Sequence, residues 1–131
     1  MANIRLTIED FERIAKDNDY EEIDFQKWID YESNFLKKRI VNENIVYQHQ
    51  DILNILHHLK GVYEGNPQPL HLKTSVNDAL GVAHQNAMEE RRREERGTVR
   101  LIDLMNAYDI YYMIRDTYKY LESTQITDYR R

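Results

Sequence analysis

The chain of 131 residues contains no cysteine. That excludes disulfides, thiol catalysis and the zinc sites built on thiolates. Apolar runs are only a few residues long, far short of a membrane span. The opening Met-Ala-Asn-Ile-Arg lacks the hydrophobic stretch of a signal peptide, so a cytoplasmic location is expected. An excess of positive charge is also missing. The formal net charge is −5 and the pI about 5.5, unfavourable for a general grip on nucleic acid, although a local basic patch stays open. Proline and glycine are scarce, and both prolines lie close to Gly61 and Gly65. The stretch Glu64–Lys73 therefore reads as the one clear linker, joining two helical halves of a single domain.

What remains is a soluble, folded composition, 41% hydrophobic and 31% charged. Isoleucine, asparagine, lysine and tyrosine are plentiful, the amino acids of AT-rich codons. This points to a low-GC bacterium, one of its mobile elements or a phage.

Apolar residues recur at helical spacing and predict helices at about 7–16, 24–41, 45–63, 75–96 and 98–122. Thr7 with Asp10, and Ser75 with Asp78, place a carboxylate three residues after a hydroxyl, the pattern of a capping box. Asn42-Glu43-Asn44 reads as a break, with one bent helix through it as the alternative. Gly97-Thr98 suits the tight turn of an antiparallel helical hairpin: a left-handed residue, then an N-cap. The predicted fold is all-α, four or five helices packed as a bundle and ending in that hairpin. A polar tail, 123–131, is expected to fray.

The segment Phe11–Ile29 resembles an EF-hand: an entering helix, Asp17-Asn18-Asp19, then Ile23-Asp24-Phe25 before an aromatic helix. The resemblance implies a calcium loop, and its ligand set fails. With Ile23 in register, Glu21 stands where the loop needs glycine and Lys27 where it needs a bidentate glutamate. The plain reading is a polar turn between helices.

Five histidines, His49, His57, His58, His71 and His84, form no metal-binding pair at helical spacing. His49 lies on an apolar stripe and reads as a hydrogen-bonded core residue. His57 and His58 should point to different sides of their helix, while His84 is placed to meet a carboxylate across the hairpin. Asp109 and Asp116 share a helix face two turns apart, which suits pairing with neighbouring cations better than acid–base catalysis. Catalysis there would need a partner such as Glu32, His57 or Arg115. No phosphate loop or nucleophile elbow occurs, and no catalytic residue, metal or cofactor is expected.

Two features suggest contact with another molecule. Residues 89–96 carry four glutamates and four arginines, which makes a self-paired, solvated tip or a docking knob using Arg91, Arg92, Arg93 and Arg96. The segment Val99–Leu121 holds five of the ten tyrosines, at Tyr108, Tyr111, Tyr112, Tyr118 and Tyr120. It is apolar on every side, so it should be a central helix or one shared with a partner, and the shared reading is preferred. The leading functional expectation is a small non-enzymatic protein-binding protein, a regulator, inhibitor or adaptor, that self-associates through this helix. The alternative is a helical enzyme or small-ligand binder with a carboxylate/His or Arg-lined site. A third is a DNA-binding regulator using Lys37-Lys38-Arg39.

Overall fold

A computed structural model describes residues 4–38 and 43–127. Among these, the chain forms five α-helices and two three-residue strands: α1 (Ile8–Asp17), α2 (Phe25–Lys38), α3 (Glu43–Tyr63), β1 (Leu70–Leu72), α4 (Val76–Glu95), α5 (Leu101–Thr124) and β2 (Gln125–Thr127). The mostly helical bundle expected from the apolar periodicity is present. No described helix is long and apolar enough to cross a membrane.

Local chemistry sets the helix ends. Thr7 and Asp10 form a full capping box: the Thr7 hydroxyl accepts from the Asp10 N–H, and the Asp10 carboxylate accepts from the Thr7 N–H at 2.9 Å. Ser75 accepts from the Asp78 N–H at 3.0 Å and starts α4. Asp24 does the same for α2, accepting from the Lys27 N–H at 3.0 Å. At the other ends, Asp19 (φ 57°), Gly65 (φ 80°) and Gly97 (φ 72°) take the left-handed conformation. The N–H of the residue after each reaches the carbonyl five residues back: Tyr20 to Ala15, Asn66 to Gly61 and Thr98 to Arg93. These Schellman closures satisfy carbonyls that the helices leave orphaned.

The hairpin turn at Gly97 is thus as expected, but Thr98 is not an N-cap. Its hydroxyl donates to the Arg93 carbonyl at 2.9 Å, finishing α4, and the N-cap position of α5 falls to Arg100, which makes no side-chain cap bond. Two helices, α2 and α3, stand where a single bent one was the alternative. Of the predicted break, Asn42 lies outside the described residues and Glu43 is already helical.

The linker and tail hold more order than their composition suggests. Leu70 and Leu72 are buried, and β1 pairs in parallel with β2, Leu70 opposite Gln125 and Leu72 opposite Thr127. The tail predicted to fray is therefore helical at Ser123–Thr124 and a strand at Gln125–Thr127; residues 128–131 lie outside the described residues. Asp51 of α3, itself fully buried, anchors the start of α4. Its carboxylate accepts from the N–H of Lys73 at 2.8 Å, the N–H of Thr74 at 2.7 Å and the Thr74 hydroxyl at 2.5 Å.

The helix enclosed by the others is α3, which sinks Ile52, Ile55, Leu56 and Leu59 into the core. Edge-to-face rings pack one end of it: Phe11 on Phe25 at 5.7 Å, Phe25 on Trp28 at 5.2 Å and Phe11 on Tyr63 at 5.3 Å. Of the two expectations for α5, a central helix or one shared with a partner, the central one gives way to a one-sided arrangement. Its buried residues Ala107, Ile110, Met113, Ile114, Thr117 and Leu121 recur every three or four positions on one face. The tyrosines flank that stripe and are each half-buried, and the Tyr108 hydroxyl reaches the Met88 sulfur at 3.6 Å.

Candidate functional site

Polar chemistry concentrates where α2, α3 and α4 meet. The apolar stripe of α2 runs Phe25, Trp28, Ile29 and then Glu32, so the carboxylate follows the same face into the interior. Glu32 is 1% exposed and His49 of α3 is 2% exposed, with His49 Nδ1 2.6 Å from a Glu32 oxygen. Burial pushes the Glu32 carboxyl above its usual range, and the hydrogen bond from His49 opposes that. Phe35 stacks on the His49 ring at 4.8 Å. His49 is the hydrogen-bonded core histidine expected from its stripe.

A second buried carboxylate lies alongside. The stripe of α4 continues through Val76, Ala79, Ala83, Asn86 and Ala87 to Glu90, which is fully buried. The Tyr31 hydroxyl donates to Glu90 at 2.7 Å and accepts from the Asn86 amide at 3.1 Å. Burial and the adjoining carboxylate raise the Tyr31 phenol far above its ordinary value. Arg93 folds back to Glu90 at 3.1 Å. Arg93 thus supports this network instead of serving as a free contact of the tip. The expectation of a self-paired, solvated tip over residues 89–96 does not hold for Glu90, and Asn86 and Tyr31 are not among the expected site residues. The legible signal was polar residues continuing the apolar spacing of both helices.

The rest of the charged tip is self-paired as expected: Arg92 with Glu89, and Arg91 with Glu95 at 3.5 Å. Arg96 is exposed beyond them. At the adjoining start of α5, Leu101 is 59% exposed, Ile102 38% and Met105 38%. Tyr108 and Tyr112 follow on the same side, 5.8 Å apart, with Tyr111 beside Tyr112. Arg115 lies 4.7 Å over the Tyr112 ring. Tyr118 and Tyr120 diverge from this group: Tyr120 stacks on His58 at 5.7 Å, and both pack against the core. The structure therefore brings Tyr108, Tyr111 and Tyr112 together and separates Tyr118 and Tyr120 from them.

His84 meets the Tyr111 ring at 4.9 Å instead of a carboxylate across the hairpin. His57 and His58, expected to diverge, both line one small pocket with His71. The His58 Nδ1 lies 2.6 Å from the Gln68 carbonyl, and burial lowers its pKa. Among the described residues, no group of three or more His, Asp or Glu side chains is arranged to hold a metal ion. The segment that resembles an EF-hand is a closed turn. Asn18 donates to Asp116 at 2.8 Å, and Arg115 also pairs with Asp116.

Asp109 faces α2, where the Trp28 indole N–H and Lys27 meet it. Burial outweighs both and pushes its pKa up to about 6. A carboxyl raised in the folded state adds stability that is complete below the unfolded value near 3.8 and is lost as pH rises through 6. Asp109→Asn keeps an acceptor for Trp28 and removes the buried charge. It should raise stability at pH 7 by about 1 kcal/mol, the shift being discounted for solvent screening. The gain should vanish below pH 3.8, as read by urea unfolding at both pH values.

Beside the buried network a cleft of about 380 Å³ opens between α2 and the first turns of α5. Tyr31 and Phe35 form one wall, and Asn106 of α5 lines it opposite. The fold thus defines a mostly α-helical bundle with a buried carboxylate–histidine network under an amphipathic cleft. Comparison with protein families, with curated proteins and with solved structures finds no match.

Proposed function

We propose that this is a non-enzymatic binding protein that self-associates through the outer side of α5, in the manner of a small regulator, inhibitor or adaptor. The observation that carries the reading is the exposure of Leu101, Ile102 and Met105 within the first two turns of one helix. Large apolar side chains grouped this way are costly to leave in water and are typical of contact surfaces. Half-buried tyrosines continue the surface, and tyrosine combines a broad apolar body with a hydrogen-bonding tip. The neighbouring tip carries equal numbers of both charge signs. A symmetric two-fold contact requires a self-complementary patch, and a tip of mixed sign meets its own copy without net repulsion.

Sedimentation at micromolar concentration tests this. The wild-type chain should form a dimer or higher assembly, and the double variant Leu101→Asp, Met105→Asp should sediment as a monomer with unchanged helicity. A strictly monomeric wild-type protein would sink the reading. So would a double variant that assembles as well as the wild type.

A further inference from the structure

We propose that the cleft between α2 and the start of α5 binds a mononucleotide, with the base against Tyr31 and Phe35, its edge read by Asn106, and the phosphate at the lysine rim.

The aromatic wall is held in place before any ligand arrives. The Tyr31 ring is fixed through its hydroxyl to Glu90 and Asn86. The Phe35 ring is fixed by stacking on His49, itself bonded to Glu32. The two rings lie 6.3 Å apart and tilted by 39°, presenting a preformed surface to a flat heterocycle. Preorganisation of this kind reduces the ordering cost of binding. The buried network, otherwise expensive to keep, acquires a role as the support of that wall.

Asn106 supplies the second, independent observation. It lines the cleft at 6% exposure, and its Oδ1 is buried with no hydrogen-bond partner. Buried side-chain acceptors are nearly always satisfied, so this one calls for an N–H donor. An asparagine amide offers one acceptor beside one donor, the pattern that pairs with the edge of a nucleobase.

Charge at the rim selects the rest of the ligand. Lys27, Lys38 and Arg100 border the cleft together with Asp30 and Asp103. Asp103 pairs with Arg100 at 3.5 Å, Asp30 keeps its charge because its partner at 2.9 Å, Gln26, is a neutral amide, and the two lysines leave the rim with one positive charge in excess. The volume is near the small end for ligand pockets and suits one nucleotide, not a dinucleotide or a strand.

Titration calorimetry on the full chain with AMP, GMP, CMP and UMP tests the site, with ribose 5-phosphate and inorganic phosphate as controls. At least one mononucleotide should bind with a submillimolar Kd, and ribose 5-phosphate about tenfold more weakly or worse, since it lacks the base. Asn106→Leu should weaken binding by roughly tenfold or more. The rim variant Lys38→Ser, which leaves Lys27 beside Asp109, should weaken binding several-fold while flattening its salt dependence. It keeps the proposal testable if Asn106→Leu does not fold. No binding of any mononucleotide at millimolar concentration overturns the proposal. Ribose 5-phosphate binding as tightly as the nucleotide, or full affinity in the folded rim variant, overturns it equally.

Discussion

His49→Ala should lower the free energy of unfolding at neutral pH by about 3–5 kcal/mol, the usual cost of stranding one member of a buried pair. The substitution leaves Glu32 1% exposed in the folded chain with its histidine partner removed. The matching double variant, Glu32→Met with His49→Leu, exchanges the pair for apolar groups of similar volume. It should fall near the wild type or above it, because the desolvation cost of both polar groups disappears. Urea unfolding of the wild type, Glu32→Met, His49→Leu and their double variant closes a double-mutant cycle that isolates the coupling. The single variant should also depend on pH in a defined direction. Burial raises the Glu32 carboxyl above its ordinary value, so its contribution is complete below the unfolded value and lost as pH rises through the folded one. The damage in His49→Ala should therefore be smallest in acid and grow toward neutrality. A double variant as damaged as the single would mean that packing, not charge, holds this region.

Asp51→Ala should cost about 2–4 kcal/mol by a different route. The Asp51 carboxylate collects the N–H groups of Lys73 and Thr74 and the Thr74 hydroxyl, and nothing else is shown to accept from them. Losing it frees the segment that joins β1 to α4. Amide exchange at Lys73 and Thr74 should speed up along with the loss of stability, whereas exchange in the middle of α5 should follow only the global change. Asp51→Asn retains one acceptor oxygen and should recover about half the loss. If Asp51→Ala unfolds at the wild-type midpoint, the clamp contributes nothing measurable.

Sequence-based boundaries succeeded where the signal is local. Thr7 and Ser75 mark helix starts because a hydroxyl can reach an N–H three residues on, whatever the rest of the chain does. Gly97 marks the hairpin because a left-handed residue there is cheap only for glycine. The β1–β2 pair was invisible for the opposite reason. Its two strands are three residues each and more than fifty residues apart, and neither has meaning without its partner. Composition also left open how α5 packs, as a central helix or as one shared with a partner. Its tyrosines score as apolar on every side, yet each carries a hydroxyl that lets it line the boundary of the stripe.

The same division runs through the candidate site. Glu32 and Glu90 stand on the apolar faces of their helices, which single-helix periodicity can register but not interpret. A carboxylate on such a face is either a flaw or half of a pair, and the other half sits on a different helix. His49 for Glu32, and Tyr31 for Glu90, come within hydrogen-bond reach only when α2, α3 and α4 pack. By itself, then, the amino-acid order determined the five helices, the caps at Thr7 and Ser75, the turn at Gly97 and the self-paired charges of the tip, all of which depend on neighbours within one or two turns. Tertiary packing decided that α3 is the enclosed helix, that α5 exposes Leu101, Ile102 and Met105, and that Asn106 faces a cleft over a buried network. Burial is a property of surfaces meeting across the chain, and no local pattern specifies which faces will meet.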